Sequence, residues 1–298
     1  MCGGERFGPV VVKRGRHELK RFGLMCTCLV TRAVHVEVLQ SLETDSLINA
    51  IRRIVARRGP ILRIRSDLGT NMVGAHNELR AELGRLDVSM LQQFALSKGI
   101  EWIFNPPAAS HFGGCWERCI RTFRKVWRTM PTQRLDDEGL STLFCEVESV
   151  LNSRPLTHVS DDNGNLEPLT PNHLPLLRGG GEGISGRFTD EQFSAKQWRR
   201  VQYLADQFWL RWRREYLPTL QRRQRWVAKS RNVEQGDVVL LIDEDVPRGH
   251  WRMGKVTQTF PSSDGLVRKV SLRTGGTVLT RPVHKLIVLL PTADRELS

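Results

Sequence analysis

Between Phe7 and Leu39 three apolar, β-branched runs follow one another with only short charged turns between them, and from Thr44 the apolar spacing becomes helical. The runs are FGPVVVK (7–13), RFGLMCTCLV (21–30) and AVHVEVL (33–39), separated by RGRHELK and Thr31-Arg32. Runs of this composition bounded by turns read as strands. Leu47, Ile48, Ile51, Ile54 and Val55 then form a helical stripe, with Thr44 as the expected N-cap and Arg57 and Arg58 in the last turn. Gly59-Pro60 stops it. ILRIRSD (61–67) reads as a short strand ending in an acid, 75–98 as helical, and IEWIF (100–104) as a strand. A helix follows the loop at 105–116, and another spans 135–151. The order β-β-β-α-β-α-β-α-α predicts an α/β fold: a mixed sheet with helices packed on it.

Charge narrows the partner. Lys plus Arg number 45 against 32 for Asp plus Glu, a net charge of +13, which favours a polyanion. An anionic membrane surface fits the charge too, but no apolar run approaches the roughly 18 residues of a spanning helix. The first residues also lack the apolar core of a signal peptide. The six cysteines form no CxxC pair, so reduced core thiols of an intracellular protein are expected. Cys115 and Cys119, one helical turn apart, are a weaker metal half-site.

The stretch RGGGEGISG (178–186) is the clearest linker. Beyond it Trp198, Val201, Ala205, Phe208, Trp212 and Tyr216 recur at three- and four-residue steps, giving a long amphipathic helix expected to break at Pro218. Such a stripe is too apolar to face water. It packs on its own chain or pairs with a second subunit. Residues 193–231 hold 11 basic and 2 acidic side chains and four of the eight tryptophans. From Asp237 onward VVLLID, WRMGKVTQTF, LVRKVSLRT and KLIVLL read as the strands of a small β-barrel.

Two acids stand where a sheet would expose them. Asp67 ends a strand before Leu-Gly-Thr-Asn, and Glu117 begins a helix. Phosphoryl chemistry with hard cations wants carboxylates converging on two ions about 3.5–4 Å apart. The plainer readings are a turn-forming Asp and a helix-start Glu paired with Arg121. Glu117, Arg121, Arg124 and Arg128 share one helical face, which suits a metal centre beside a nucleic-acid backbone and equally a solvated basic face. His111 reads as a loop residue.

RSDLGTNMVGA (65–75), IEWIFNPPAASHFGGCWER (100–118), VLNSRPLT (150–157) and LTPNHLPLL (169–177) resemble the integrase core of Bel/Pao long-terminal-repeat retrotransposons. GDVVLLIDEDVPRGHWRMGKV (236–256) and RPVHKL (281–286) resemble its tail. The resemblance implies a ribonuclease H-like catalytic core over 1–177, a linker over 178–192, the basic helix over 193–231 and a small barrel over 232–298. It implies Mg²⁺- or Mn²⁺-dependent processing of element DNA ends and their joining to target DNA, in the nucleus, by a homo-oligomer. The second and third catalytic, metal-binding acids fall on Asp67 and Glu117. Arg121 and Arg124 fall where related integrases contact the DNA end, and Arg118, Lys125, Arg128, Arg211 and Arg214 are expected to add phosphate contacts.

The run GGERFGP (3–9) puts Glu5 where the family's first catalytic aspartate belongs, one carbon–carbon bond longer, about 1.5 Å. Mg²⁺ tolerates little departure from octahedral geometry, and a misplacement near 1 Å can cost on the order of a hundredfold in rate. Leu68 replaces the usual asparagine. With only Met1–Gly4 ahead of Glu5, half of the central strand is expected to be missing, and nothing corresponds to the zinc-binding module, the protease or the polymerase. A fragment or decayed copy is therefore expected. The alternatives are a polynucleotidyl transferase, a catalytically inactive DNA-binding remnant, and a ribonuclease of the same fold.

Overall fold

The computed structural model describes residues 2–67, 87–105, 114–130, 135–158, 168–176, 197–220, 231–243 and 246–292. The expected helix over 75–86, the loop with His111 and the linker at 178–186 lie outside them. Two compact units result, one from 1–152 with 186–212, the other from 153–185 with 213–298.

The first unit is a ribonuclease H-like mixed sheet. Strands β1 (Cys2–Arg14), β2 (His17–Cys28), β3 (Val34–Leu39), β4 (Arg63–Asp67) and β5 (Glu101–Asn105) lie in the order β3-β2-β1-β4-β5. β1, β2 and β3 pair antiparallel, whereas β1–β4 and β4–β5 are parallel. β1 has 13 residues and pairs with β2 from Cys2 to Arg14.

Helices α1 (Thr44–Arg58) and α2 (Val88–Ser97) cover one face. Leu47, Ala50, Ile51 and Ile54 of α1 and Leu91 and Ala95 of α2 form a core with Phe22, Leu24, Leu39 and Ile64 of the sheet. Thr44 is the first residue of α1 rather than its cap. Glu43 holds the cap position, and the Thr44 hydroxyl instead accepts the Asp87 N–H at 2.9 Å, tying the starts of α1 and α2 together.

Helices α3 (Gly114–Trp127), α4 (Asp137–Asn152) and the first four turns of α6 (Gln197–Leu220) complete the unit; α5 (His173–Leu176) belongs to the second. Val201, Ala205, Phe208 and Trp212 of α6 are buried, with Phe208 against Phe123 of α3 at 5.9 Å and stacked on Trp212 at 6.0 Å. Of the two readings of the apolar stripe, the intrachain one holds; only Trp198 at its start is half exposed. The helix also continues through Pro218 to Leu220. Proline lacks the N–H that would bond the Arg214 carbonyl, so the helix runs on with one ladder bond fewer.

A polar network joins the edge strand β3 to α1 and α4. Glu37, His35 and Glu148 are all buried. His35 meets Glu37 through Nε2 and Glu148 through Nδ1, both at 2.9 Å. Arg53 Nε donates to Glu37 at 2.8 Å, Arg57 pairs with Glu37, and Arg58 with Glu148. Arg57 and Arg58 therefore serve as counter-ions to buried acids as well as helix-end charges. Burial alone would push the Glu148 carboxyl up. The His35 hydrogen bond and charge, the Val36 N–H and Arg58 outweigh it and hold that carboxyl below its ordinary value.

The second unit carries a five-stranded antiparallel sheet, β8 (Val238–Leu241), β9 (Met253–Pro261), β10 (Val267–Thr274), β11 (Thr277–Pro282) and β12 (Leu286–Leu290), in the order β11-β10-β9-β8-β12. β8 is buried on both faces. Val239 and Leu241 join Val256, Val270 and Leu272 on one side, and Val238 and Leu240 join Leu217, Met253 and Ile287 on the other. A two-stranded pair, β6 (Thr157–His158) with β7 (Pro168–Leu169), completes the elements. The described cysteines are unbridged; Cys2 and Cys26 are core thiols, but Cys145 is exposed.

Candidate functional site

Strand register builds the site. The parallel ladder of β1 and β4 runs through Cys2–Ile64, Gly3–Arg65 and Gly4–Ser66, and Glu5 and Asp67 are the next residue on each strand. Asp67 pairs in turn with Asn105, the last residue of β5. The backbone thus sets Glu5 and Asp67 side by side at one end of the parallel strands. Glu117 lies in the first turn of α3, the first helix after β5. The side chains of Asp67, Glu117 and Arg118 lie outside the described residues.

Phe7, two residues beyond Glu5 on β1, holds the strand against α3. Its ring packs edge-on to Phe123 at 4.7 Å and to Trp127 at 5.9 Å, with Phe144 of α4 at 5.5 Å. Phe123 and Trp127 stack on each other at 5.5 Å. Buried aromatic contacts of this kind add about 0.5–1.5 kcal/mol each beyond area burial. The cluster fixes the distance between β1 and the middle of α3.

That spacing brings Arg124, the neighbour of Phe123, onto Glu5. Arg124 Nη2 forms an ion pair with Glu5 Oε1 and donates to the Arg6 carbonyl at 2.9 Å. The two side chains are 28% and 20% exposed, so the pair is partly desolvated but open to solvent. The adjacent Arg6 is mostly buried; burial lowers its pKa to about 10, and its Nη1 has no hydrogen-bond partner. Hard divalent cations take carboxylate oxygens. An acid within β1, another at the end of the neighbouring β4 and a third in a helix's first turn suit such a cation in residue type and backbone position. Glu5, however, is shared with an arginine. Among the described residues no three metal-ligating side chains cluster, and two of the three expected acids have side chains outside that set.

The basic residues separate into two groups. Arg121 and Lys125 of α3 and Arg128 just beyond it are exposed, as is Arg214. Arg211 is bonded to the Thr129 carbonyl and, at 2.7 Å, to its hydroxyl. The second unit's sheet carries a further basic face. Lys269 and Arg273 of β10 project opposite the buried Val270 and Leu272. Lys269 lies beside Phe260, its ammonium 5.8 Å from the ring centroid, and Arg273 lies beside Lys255. The alternation in VRKVSLRT was the signal: every second residue is polar or basic.

No helix among the described residues is long and apolar enough to cross a membrane. No curated protein matches the chain. Residues 196–289 match DUF5641, a family of unknown function. Among solved structures, the chain is similar to a simian T-cell lymphotropic virus intasome in complex with the PP2A regulatory subunit B56 gamma, at 12% identity, over 98% of this chain and 78% of that one, with a TM-score of 0.30. It is similar to the catalytic core domain of BIV integrase at 13% identity, over 59% of this chain and 93% of that one, with a TM-score of 0.37. The HTLV-2 integrase catalytic core domain in complex with magnesium follows at 15% identity, over 42% and 67%, with a TM-score of 0.25. At such overlaps the ribonuclease H-like assignment stands on the strand order and register of the chain itself.

Proposed function

We propose that the chain is an integrase-like polynucleotidyl transferase of the Bel/Pao type that binds DNA and acts on its phosphodiester ends. The observation that carries this reading is the parallel β1–β4 register, which sets the backbone of Glu5 beside that of Asp67 at the end of β4, with α3 and Glu117 following β5. Glu5, Asp67 and Glu117 would hold Mg²⁺ or Mn²⁺ as a two-metal site. Such ions, when bound, polarise a phosphoryl oxygen and activate the attacking hydroxyl. The chain's own part is to fix the acids on rigid elements and to meet phosphates. Arg121 and Lys125 on α3, Arg128 just beyond it, and Lys269 and Arg273 on the second unit's sheet are exposed cations suited to that. Joining two DNA ends needs two sites held together, so a homo-oligomer acting in the nucleus completes the proposal.

Calorimetric titration with Mn²⁺ tests it against the Asp67→Asn, Glu117→Gln double variant. Binding that the double variant loses is expected, and identical isotherms would sink the reading. Glu5→Asp should raise strand transfer to an oligonucleotide target by restoring the shorter carboxylate. A second reading, a DNA-binding remnant without catalysis, is favoured by the Glu5–Arg124 pair. It is marked by salt-sensitive DNA binding with no strand transfer from either the parent or Glu5→Asp.

A further inference from the structure

We infer that Cys28 is a site of reversible oxidation by hydroperoxides, and that Cys2, directly across the β1–β2 ladder, resolves it into a cross-strand disulfide. The inference goes beyond the function proposed above and does not depend on it.

Strand register puts the two sulfurs on one face at one rung. Cys2 pairs with Cys28, and Gly4 with Cys26. Directly opposed residues point to the same face of a sheet, and so do residues two apart on a strand. Cys2, Cys26 and Cys28 therefore share the face that packs on α1 and α2, where Cys2 and Cys26 enter the core. The Cys28 N–H donates to the Ala33 carbonyl at 2.8 Å, away from β1. A strand residue turns its N–H and C=O to the same neighbour, so Cys2–Cys28 is a non-hydrogen-bonded pair. That is the closer of the two antiparallel kinds, with Cα atoms about 4.5 Å apart. Disulfides span roughly 4.4–6.8 Å between Cα atoms, so the rung accepts one without moving the backbone. Cys2 and Cys26 are diagonal neighbours, about 7–8 Å apart in Cα, at or past the limit of about 7 Å.

Exposure and hydrogen bonding divide the roles. Cys28 is half-buried, whereas Cys2 and Cys26 are buried, so of the three a peroxide in water reaches Cys28. Burial alone would push the Cys28 thiol up. The Thr31 hydroxyl, the Thr31 N–H 3.4 Å from the sulfur and the Val30 N–H outweigh it and hold that thiol below its ordinary value. The thiolate is the nucleophile, and this turn stabilises it. Inside the core the Cys26 thiol hydrogen-bonds the Cys2 sulfur, which lowers the Cys2 thiol and raises that of Cys26. Cys2 is thus the better nucleophile of the buried pair. Cys145 is more exposed than Cys28, but partial desolvation and the Glu148 carboxylate push its thiol up.

The chemistry balances with hydrogen peroxide as the oxidant. The Cys28 thiolate attacks one peroxide oxygen; the S–O bond forms as the O–O bond breaks, and the departing hydroxide takes a proton to become water. The Cys2 thiolate then attacks the sulfenic sulfur, forming the S–S bond and expelling hydroxide, which becomes a second water. Two thiols are oxidised by two electrons, and the peroxide is reduced.

The test needs no variant. The folded chain is treated with a stoichiometric amount of hydrogen peroxide, alkylated, digested and mapped by mass spectrometry. A linked Cys2–Cys28 peptide that dithiothreitol separates is expected. A Cys2–Cys26 link, or oxidation of Cys145 ahead of Cys28, overturns the inference. Cys2→Ser removes the resolving thiol and should leave a sulfenic acid at Cys28 that dimedone labels; absence of that label overturns the role of Cys28. In Cys28→Ser, Cys2 should stay reduced under the same treatment, and Cys2 consumed as fast as in the parent would show that the peroxide reaches it directly. The bridge pins the start of β1 to the end of β2. Amide hydrogen exchange there should slow on oxidation and recover with dithiothreitol, and faster exchange would overturn the fit of the bridge to the ladder.

Discussion

Gly23→Ala should destabilise the first unit by about 3 kcal/mol. Gly23 lies directly across from Phe7 in the β1–β2 ladder, and the Phe7 ring lies over its Cα. A methyl group there would stand 2.0 Å from Phe7 Cζ, 2.3 Å from Cε1 and 2.5 Å from Cε2. Ordinary carbon contacts begin near 3.5 Å, so the ring would have to retreat by about 1.5 Å. It has nowhere to go, because Phe123, Trp127 and Phe144 surround it and Phe7 is only 6% exposed. Overpacking costs about 1–3 kcal/mol, and expelling a buried Phe costs about 1.5–3 kcal/mol, so both routes lead to the same figure. With a urea m-value of about 2 kcal/mol/M, the midpoint should fall by about 1.5 M, followed by near-ultraviolet circular dichroism. Phe7→Leu removes the colliding ring carbons and should cost about 1–2 kcal/mol alone. In the double variant the two losses should fail to add, with a coupling of about 1–3 kcal/mol. A neutral Gly23→Ala, or strict additivity, would refute the contact.

Glu148→Gln should cost about 3–5 kcal/mol near neutral pH, because it leaves His35 and Arg58 facing a neutral amide in a buried site. The folded Glu148 carboxyl is held below its unfolded value, so its contribution is complete above about pH 4.3 and is lost as pH falls through the folded pKa. Parent and variant should therefore converge in acid urea titrations, and a constant gap down to the lowest pH would contradict this. DNA binding should be sequence-tolerant, and each neutralised phosphate adds about −0.9 to the log–log salt slope. Replacing Lys269 and Arg273 by Gln should flatten that slope by about 2, whereas an unchanged slope would remove the sheet face from the interface. Trp212→Glu places a charge at a fully buried position and should unfold the first unit rather than yield a folded monomer; native circular dichroism in that variant would restore the intersubunit reading of the stripe.

What was legible in the sequence followed the number of faces each element buries. α1 buries one stripe, and its spacing gave the helix within a residue at each end. β10 alternates and was found, together with the face that proves basic. β11 (TVLTRP) is largely exposed along its length, offers neither alternation nor an apolar run, and was missed. β8 was found as a run because both its faces are covered, a pattern that alone cannot distinguish strand from buried helix. Pro218 misled because it removes a single ladder bond, and the helix runs on through it beside the buried Leu217.

Asp67 and Glu117 were legible as acids at a strand end and a helix start, and Glu5 through the resemblance, but what surrounds Glu5 was not. Local spacing constrains partners three or four residues apart, whereas Arg124 reaches a residue on β1 across most of the first unit's sequence. Arg58, the counter-ion of Glu148, is also remote from it, 90 positions away. Every basic side chain therefore looked alike in composition. In the fold they divide by what they oppose. Arg53, Arg57 and Arg58 neutralise buried acids, Arg211 closes the end of α3, and Arg124 holds Glu5. A formal charge of +13 thus overstates the cations free to meet phosphate. Arg121 and Arg128 stay exposed one turn either side of Arg124. The middle residue of the three is held by an acid of the sheet, which helical spacing alone could not show.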